Sequence, residues 1–449
     1  MENSTKMLAK MPIGRLFSKM AVPAVLGQLI NILYNMVDRM FIGHMQETGA
    51  IALAGVGVTT PIILAISAFA SLVSMGGAPK ASIALGKGNK EEAEDIMGSC
   101  LFMMIVISLL LTVAMWLFGK NILEMFGASE LTIVYAADYM RYYCMGTIFV
   151  QLTLGLNSFI TAQGFTKISM FNVAAGAAVN VVLDPILIYK LNMGVKGAAL
   201  ATVISQAVTS VLVIRFLCSE RAEIKLRISK IRFNALILMP CIMLGLSPAL
   251  MQLTENMVAI SFNTSLQRYG GDIAVASMSI LNSIMQFVML LLPGMVQGAQ
   301  PILSYNLGAG NIVRVKKTFR CLTAACVIGS FLIWLVCMVY PKAAASVFTD
   351  NAELIQYSEW SIRIYLAMLL IYGIQVACQY SFVALDNAPC AIFLTIWRKI
   401  ILLIPLIFIL PHFVGNPTMG VFLAEPIADT IAVCTTSFMF FRFYKKIGK

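Results

Sequence analysis

Polar side chains at helical spacing interrupt the first long apolar stretch of the sequence. Asn31, Asn35 and Asp38 are four and three residues apart, so on a helix they form one continuous polar face, with Tyr34 beside it. A charged acid at the centre of a membrane helix costs roughly 2.5–3.5 kcal/mol on insertion scales. The carboxyl of Asp38 therefore needs a partner, a bound cation or a proton.

A second acid lies in a similar setting further along the chain. Asn180 and Asp184 are one helical turn apart, and Pro185 removes a backbone donor just after them. Thr202, in the next apolar stretch, adds a hydroxyl. Together with Asp38, these oxygen-bearing groups are the ligands that a hard cation or a shared proton prefers. The alternative is a polar seam in which Asp38 pairs with Arg39, but adjacent residues point in different directions on a helix.

The second half of the chain carries its own polar stripes, which predict the wall of a hydrophilic cavity with a second protonatable site. The alternative is simple hydrogen bonding between helices, which is worth only about 0.6 kcal/mol per pair in a membrane. The candidate cavity residues here are Gln252, Glu255, Asn256, Asn282, Gln286 and Asp429, with Glu425 one turn before Asp429. Asn31, Tyr34 and Asn35 are the candidate cavity residues of the first half.

Signals of enzymatic catalysis are missing from the sequence. Its two histidines, His44 and His412, are not placed for catalysis, and no nucleophile elbow, zinc signature or ATP-binding motif occurs. The ten cysteines fall mostly inside apolar runs without metal-ligand spacing. We therefore expect neither an enzyme nor an ATP-driven pump, and no cofactor other than a coupling ion.

The composition identifies the elements that must position these residues. The chain has 449 residues, of which 59% are hydrophobic and 12% charged, whereas soluble domains have about 25% charged residues. Soluble and disordered proteins are excluded, and the length suits about twelve membrane helices of roughly 20 residues. The predicted spans are 16–42, 50–78, 95–118, 131–157, 168–190, 195–218, 236–267, 273–303, 321–341, 354–383, 391–411 and 418–441.

The distribution of basic residues predicts the topology. Of the 32 Lys and Arg residues, 22 lie in the termini and the alternate loops counted from the N-terminus, and only six lie in the opposite loops. Because cytoplasmic loops carry the excess of Lys and Arg, both termini are predicted to be cytoplasmic. The net charge of +11 thus reflects topology and does not indicate a nucleic-acid partner.

An internal repeat divides the chain. Residues 76–89 begin with Gly-x-x-Pro and end with Leu-Gly-x-Gly-Asn, and the same pattern recurs at 298–311, shifted by 222 residues. An even number of helices per half makes the two repeats parallel. We predict an all-α integral membrane fold of two six-helix bundles, residues 1–226 and 227–449, with a site between them.

Five motifs are spread over nearly the whole sequence: Pro23-x4-Gln28, Val37-Asp38-Arg39-x-Phe41-Ile42-Gly43, Asn180-x3-Asp184-Pro185, Gly194-Val-Lys-Gly197-Ala-Ala-x-Ala201-Thr202 and Gly298-Ala-Gln-Pro301-x3-Tyr305-Asn306-x-Gly308-Ala309. Together they resemble the motifs of the multidrug and toxic compound extrusion (MATE) family. The general layout is similar to the bacterial branch with DinF-like and MepA-like pumps.

The resemblance implies a V-shaped pair of bundles around a central cavity that opens alternately to each side. It implies that the coupling ion, H⁺ or Na⁺, binds at the positions Asp38, Asn180, Asp184 and Thr202. Glu255 matches an acid that some members use in the second bundle. The tenth-helix Asp of another bacterial branch has no clear counterpart, because Asp386 falls in the following loop.

These observations together predict a secondary antiporter of the bacterial inner or plasma membrane. It would export organic, mainly cationic and amphiphilic, drugs or toxins in exchange for H⁺ or Na⁺, as a monomer in the lipid bilayer. One alternative is a flippase or exporter of a lipid-linked or anionic metabolite, which would need a cavity rich in Arg and Lys. A second is a receptor or channel-like protein without transport activity, which the two-half repeat with buried acids fits poorly.

Overall fold

The computed structural model describes residues 4–45 and 48–447, and within this part of the chain the regular elements are all helices. They are α1 (Ser4–Lys10), α2 (Ile13–Gly43), α3 (Gly49–Gly86), α4 (Lys90–Met125), α5 (Ile133–Met145), α6 (Thr147–Ala162), α7 (Thr166–Pro185), α8 (Val195–Leu217), α9 (Ala235–Gly308), α10 (Ile312–Val339), α11 (Pro341–Ser346), α12 (Ala352–Tyr365), α13 (Leu369–Ala384), α14 (Ala388–Ile396), α15 (Ile404–Ile409) and α16 (Pro417–Lys446).

Helix α9 crosses the membrane twice. Its 74 residues would extend about 110 Å at 1.5 Å per residue, whereas the hydrocarbon core is only about 30 Å thick. At Gly271 the backbone takes φ 65° and ψ −161°, a conformation open to glycine and not to a helical residue. The break separates a first limb, 235–270, from a second limb, 272–308.

Two other crossings are bent. α5 and α6 meet at 57° and α12 and α13 at 49°. The first bend lies at Gly146 and the second at Met368, which are 222 residues apart, as the repeat requires. Among the described residues, nine helices are long and apolar enough to cross a membrane, and the two bent pairs raise the number to eleven. With α9 counted twice, the described residues form the twelve crossings that the sequence predicts.

The glycine motif of the repeat ends one helix and begins the next. Gly88 and Gly310 have positive φ angles of 80° and 69°. The side chains of Asn89 and Asn311 then accept hydrogen bonds from the backbone N–H three residues on, at 3.1 and 3.2 Å. Both motifs are therefore helix C-terminal turns followed by N-caps, and not phosphate-binding loops.

Two crossings contain π-helical turns. One, Ile186–Lys190, continues α7 directly after Pro185. The other, Trp397–Leu403, joins α14 to α15. π-helical turns are frequent at functional sites. The first of these turns follows Asp184 and Pro185 directly, and the second contains Arg398 and Lys399.

Candidate functional site

The first candidate group lies where α2 packs against α7. Asp38 is 8% exposed, and Asn180 and Asp184 are fully buried. The Asn180 side-chain N–H donates to Asp184 Oδ1 at 3.3 Å, and the carboxyl of Asp38 lies within electrostatic range of the Asp184 carboxyl. The two helices thus bring two carboxyl groups and one amide into a common buried environment.

Oxygen atoms in this group lack partners. Asp38 Oδ1, Asn180 Oδ1 and Asp184 Oδ2 are buried without a hydrogen-bond donor among the described residues. No basic side chain in residues 4–45 or 48–447 forms an ion pair with either carboxyl. Because buried charges must be paired, protonated or ligated to a cation, the arrangement fits H⁺ or a hard monovalent cation such as Na⁺.

The neighbours of this acidic pair come from α2, α5 and α8. Thr202 on α8 donates its hydroxyl to the Ala198 carbonyl at 3.1 Å. Tyr34 and Tyr139 lie close enough for the charge of Asp38 to act on their hydroxyl groups. Tyr139 was not among the predicted site residues, although it is one turn from Tyr143 on the short helix α5, and the two rings stack with centroids 5.9 Å apart.

From Asp38, the polar face of α2 continues toward the N-terminal end of that helix. Asn35 donates to the Asn31 carbonyl at 2.7 Å and to its side-chain oxygen at 3.2 Å. Asn31 and Gln28 line a cavity of about 100 Å³ together with Asn157 on α6. The part of the polar face around Asn31 therefore lines a cavity, whereas Asn35 is exposed.

The second candidate group is a cluster of charges between α9, α16 and the π-helical turn 397–403, buried except for the partly exposed Glu255. Arg398 donates through Nε to Asp429 Oδ1 at 2.7 Å and through Nη2 to Glu425 Oε1 at 3.0 Å. Its guanidinium also lies 4.9 Å from the ring centroid of Tyr372. Lys399 donates to Glu255 Oε1 at 2.5 Å.

The acids of this cluster are held by basic residues, and its role as a second protonatable site in a cavity wall stays a prediction. Glu255 and Asp429 are both paired with basic residues, and Arg398 and Lys399 are only 3% and 4% exposed. These two adjacent basic residues were not among the predicted site residues, although they stand in the middle of the predicted span 391–411. Because three acids in one apolar bundle are costly without cations, such a basic pair is the signal that points to their partners.

The remaining candidates are uncharged and take no part in the ion pairs of this cluster. Gln252 donates to the Ser71 hydroxyl of α3 at 2.8 Å, so it joins α9 to a helix of the first half. Asn256 is partly buried on the same limb of α9, whereas Asn282 and Gln286 have exposed side chains on the second limb.

The helices close together at the end of the molecule that carries both termini. Within the described residues, the hydrogen bonds and ion pairs that join 4–217 to 235–447 all lie between the middle of the helices and this end. The ammonium of Lys80 contacts Asp386 at 2.7 Å. Arg314 donates to the backbone carbonyls of Leu8 and Met11 at 2.9 and 2.8 Å, which ties α1 to α10.

Twelve apolar crossings, with ionisable groups buried among them and one end closed, define a polytopic membrane transporter. The MatE family model matches residues 23–186 and 248–410, and the chain belongs to this family. The two matched segments lie one in each half of the sequence repeat.

Known proteins with similar sequence or structure agree with this assignment. The multidrug export protein MepA of Staphylococcus haemolyticus (strain JCSC1435) is 25% identical over 419 residues, which cover 93% of this chain and 91% of MepA. An outward-facing multidrug resistance MATE family transporter of the MOP superfamily has a TM-score of 0.90 at 20% identity, covering 100% of this chain and 99% of that one. A MOP superfamily transporter from Pyrococcus furiosus, described as having a binding pocket of reverse polarity, has a TM-score of 0.91 at 20% identity and the same coverage.

Proposed function

We propose that this protein is a secondary antiporter that exports organic, mainly cationic and amphiphilic, drugs or toxins in exchange for H⁺ or Na⁺. The observation that carries the proposal is the Asp38–Asp184 pair, which is buried, has unpartnered oxygens and forms no ion pair with a basic residue of the described chain. The name of the similar MepA proteins, multidrug export protein, supports export of drugs.

Coupling follows from electrostatic linkage. Two carboxylates that act on each other in a medium of low dielectric repel, and a proton or Na⁺ between them removes this repulsion. An ion that binds one conformation better than the other shifts the equilibrium between them by its differential affinity. Substrate and ion exchange when they favour different conformations.

Alternating access requires movement of the proposed halves, 1–226 and 227–449, about their shared contacts. The contacts of Lys80 with Asp386 and of Arg314 with α1 lie at the closed end, so this end must open for the opposite state to form. The excess of Lys and Arg on the terminus side supports its placement in the cytoplasm. The closed end then faces the cytoplasm, and the proposed protein acts as a monomer in the bacterial plasma membrane.

Export of a lipid-linked or anionic metabolite is the alternative. A phosphate or carboxylate group would require unpaired basic side chains in the cavity. Arg398 and Lys399 are instead each bound to carboxylates, which favours cationic substrates.

The test is efflux of a fluorescent lipophilic cation from proteoliposomes under an imposed pH gradient or an imposed Na⁺ gradient. We expect flux to follow one of these gradients, which identifies the ion, and to be lost in Asp38→Asn and in Asp184→Asn. Asp350→Asn, at an exposed acid outside the membrane helices, is the matched control and should transport normally. Flux under neither gradient refutes cation antiport, and gradient-driven flux that survives in both variants refutes coupling at this pair.

A further inference from the structure

Among the three acids of the charged cluster in the second half, Glu255 has the most exposed side chain. Its side chain is 45% exposed, whereas those of Glu425 and Asp429 are 8% and 9% exposed. Glu255 is three residues after Gln252, which touches α3 of the first half, so this face of α9 borders the space between the halves. A molecule that enters this space can contact the Glu255 carboxylate directly.

Lys399 reaches the same carboxylate from the protein interior. Its side chain is 5% exposed and its ammonium contacts Glu255 Oε1. The neighbouring Arg398 is fixed by Asp429, Glu425 and the ring of Tyr372, but the only ion pair of Lys399 within the described chain is with Glu255. A lysine ammonium on a flexible four-carbon stem therefore occupies the inner oxygen of an acid whose outer side is accessible.

The Lys399 ammonium therefore lies next to the carboxylate of Glu255, the group that would attract a cationic substrate. A substrate cation at the outer oxygen of Glu255 experiences the attraction of the carboxylate and, a few ångströms further in, the repulsion of the Lys399 ammonium. The pair is electrically balanced while the cavity is empty, so its attraction for cations is weaker than that of an isolated carboxylate.

We propose that Lys399 sets the substrate affinity in the cation export proposed above: its tethered ammonium competes with substrate cations for Glu255 and so limits how tightly they bind. Weak binding suits an exporter because the substrate must dissociate on the outer side. This proposal takes its substrate class, organic cations, from the proposed function. The observation that supports it is the contact between the Lys399 ammonium and the Glu255 carboxylate.

The test is equilibrium binding of tetraphenylphosphonium, a permanent cation without hydrogen-bond donors, to the purified full-length protein. Lys399→Met should tighten binding on the order of tenfold, because it removes a like charge roughly 10 Å from the phosphorus of the bound cation, in a medium with an effective dielectric constant of about 20. Lys399→Arg keeps the charge and should bind like wild type. Adding Glu255→Gln to Lys399→Met should abolish the gain.

The possible results distinguish failure of the proposed function from failure of the role proposed for Lys399. If wild type binds no lipophilic cation, the proposed function fails and this inference with it. If wild type binds but Lys399→Met binds equally or more weakly while Lys399→Arg resembles wild type, the inference alone is overturned, as it is if the gain persists without Glu255. Thermal unfolding of each variant identifies any that does not fold, and Lys399→Gln, which keeps a donor without the charge, then replaces Lys399→Met.

Discussion

Replacing Arg398 with methionine removes the positive charge that contacts both Glu425 and Asp429. The two carboxylates are 8% and 9% exposed and are held at 3.0 and 2.7 Å by the guanidinium. Breaking a buried ion pair by removing one partner costs about 3–5 kcal/mol, because an uncompensated charge remains. At an unfolding entropy of roughly 2.1 cal/mol/K per residue, a chain of this length loses about 3–5 °C in its unfolding midpoint.

The assay is thermal unfolding followed with a thiol-reactive fluorophore, since the structure has free cysteines buried among its helices, including Cys100, Cys241 and Cys326. Arg363→Met is the matched control: its partner Glu359 is 3.6 Å away and the Arg363 side chain is 54% exposed, so we expect a change below about 1 kcal/mol.

A compensated variant separates charge from packing. Arg398→Met combined with Glu425→Gln and Asp429→Asn removes the cation and both of its acids, and it should recover most of the lost stability. An Arg398→Met protein as stable as wild type contradicts the structure of this cluster. A triple variant no more stable than Arg398→Met shows that the loss comes from packing and not from unpaired charge.

Two further predictions concern the closed end and the repeat. Lys80→Asp should open the closed end by repulsion from Asp386, and adding Asp386→Lys should close it again. Spin-label distances across this end measure the change. An equal distance in wild type and in both variants would show that the Lys80–Asp386 ion pair does not hold this end closed. Asn89→Ala and Asn311→Ala should each lower stability by about 1 kcal/mol through loss of a helix N-cap, whereas Asn282→Ala, at an exposed position within α9, should not; equal effects of all three on the unfolding midpoint contradict the capping role.

The number and order of the membrane crossings could be predicted because each needs a long apolar run. The predicted spans 236–267 and 273–303 correspond to the two limbs of α9, which meet at Gly271. The bend of 57° within the predicted span 131–157 could not be predicted, because apolar residues continue on both sides of Gly146. A bend of this kind is decided by packing against neighbouring helices.

The candidate site could be predicted only where its residues are close in sequence. Asn180 and Asp184 share one turn of a helix, so their contact follows from their spacing. The ion pairs of Glu255 and Asp429 cannot be predicted from spacing, because Lys399 is 144 residues from Glu255 and Arg398 is 31 residues from Asp429. Composition predicts that buried acids need cations, but only the fold brings each acid to its cation.

The central claim is that substrate and coupling ion are linked through Asp38 and Asp184. The most direct measurement is ion release on addition of tetraphenylphosphonium to purified protein, with protons followed by a pH indicator in weak buffer and Na⁺ by radiotracer. We predict that wild type releases one of these ions as the organic cation binds, and that the Asp38→Asn/Asp184→Asn double variant releases neither. Binding of the cation to wild type without release of either ion, or equal release from the double variant, contradicts the account.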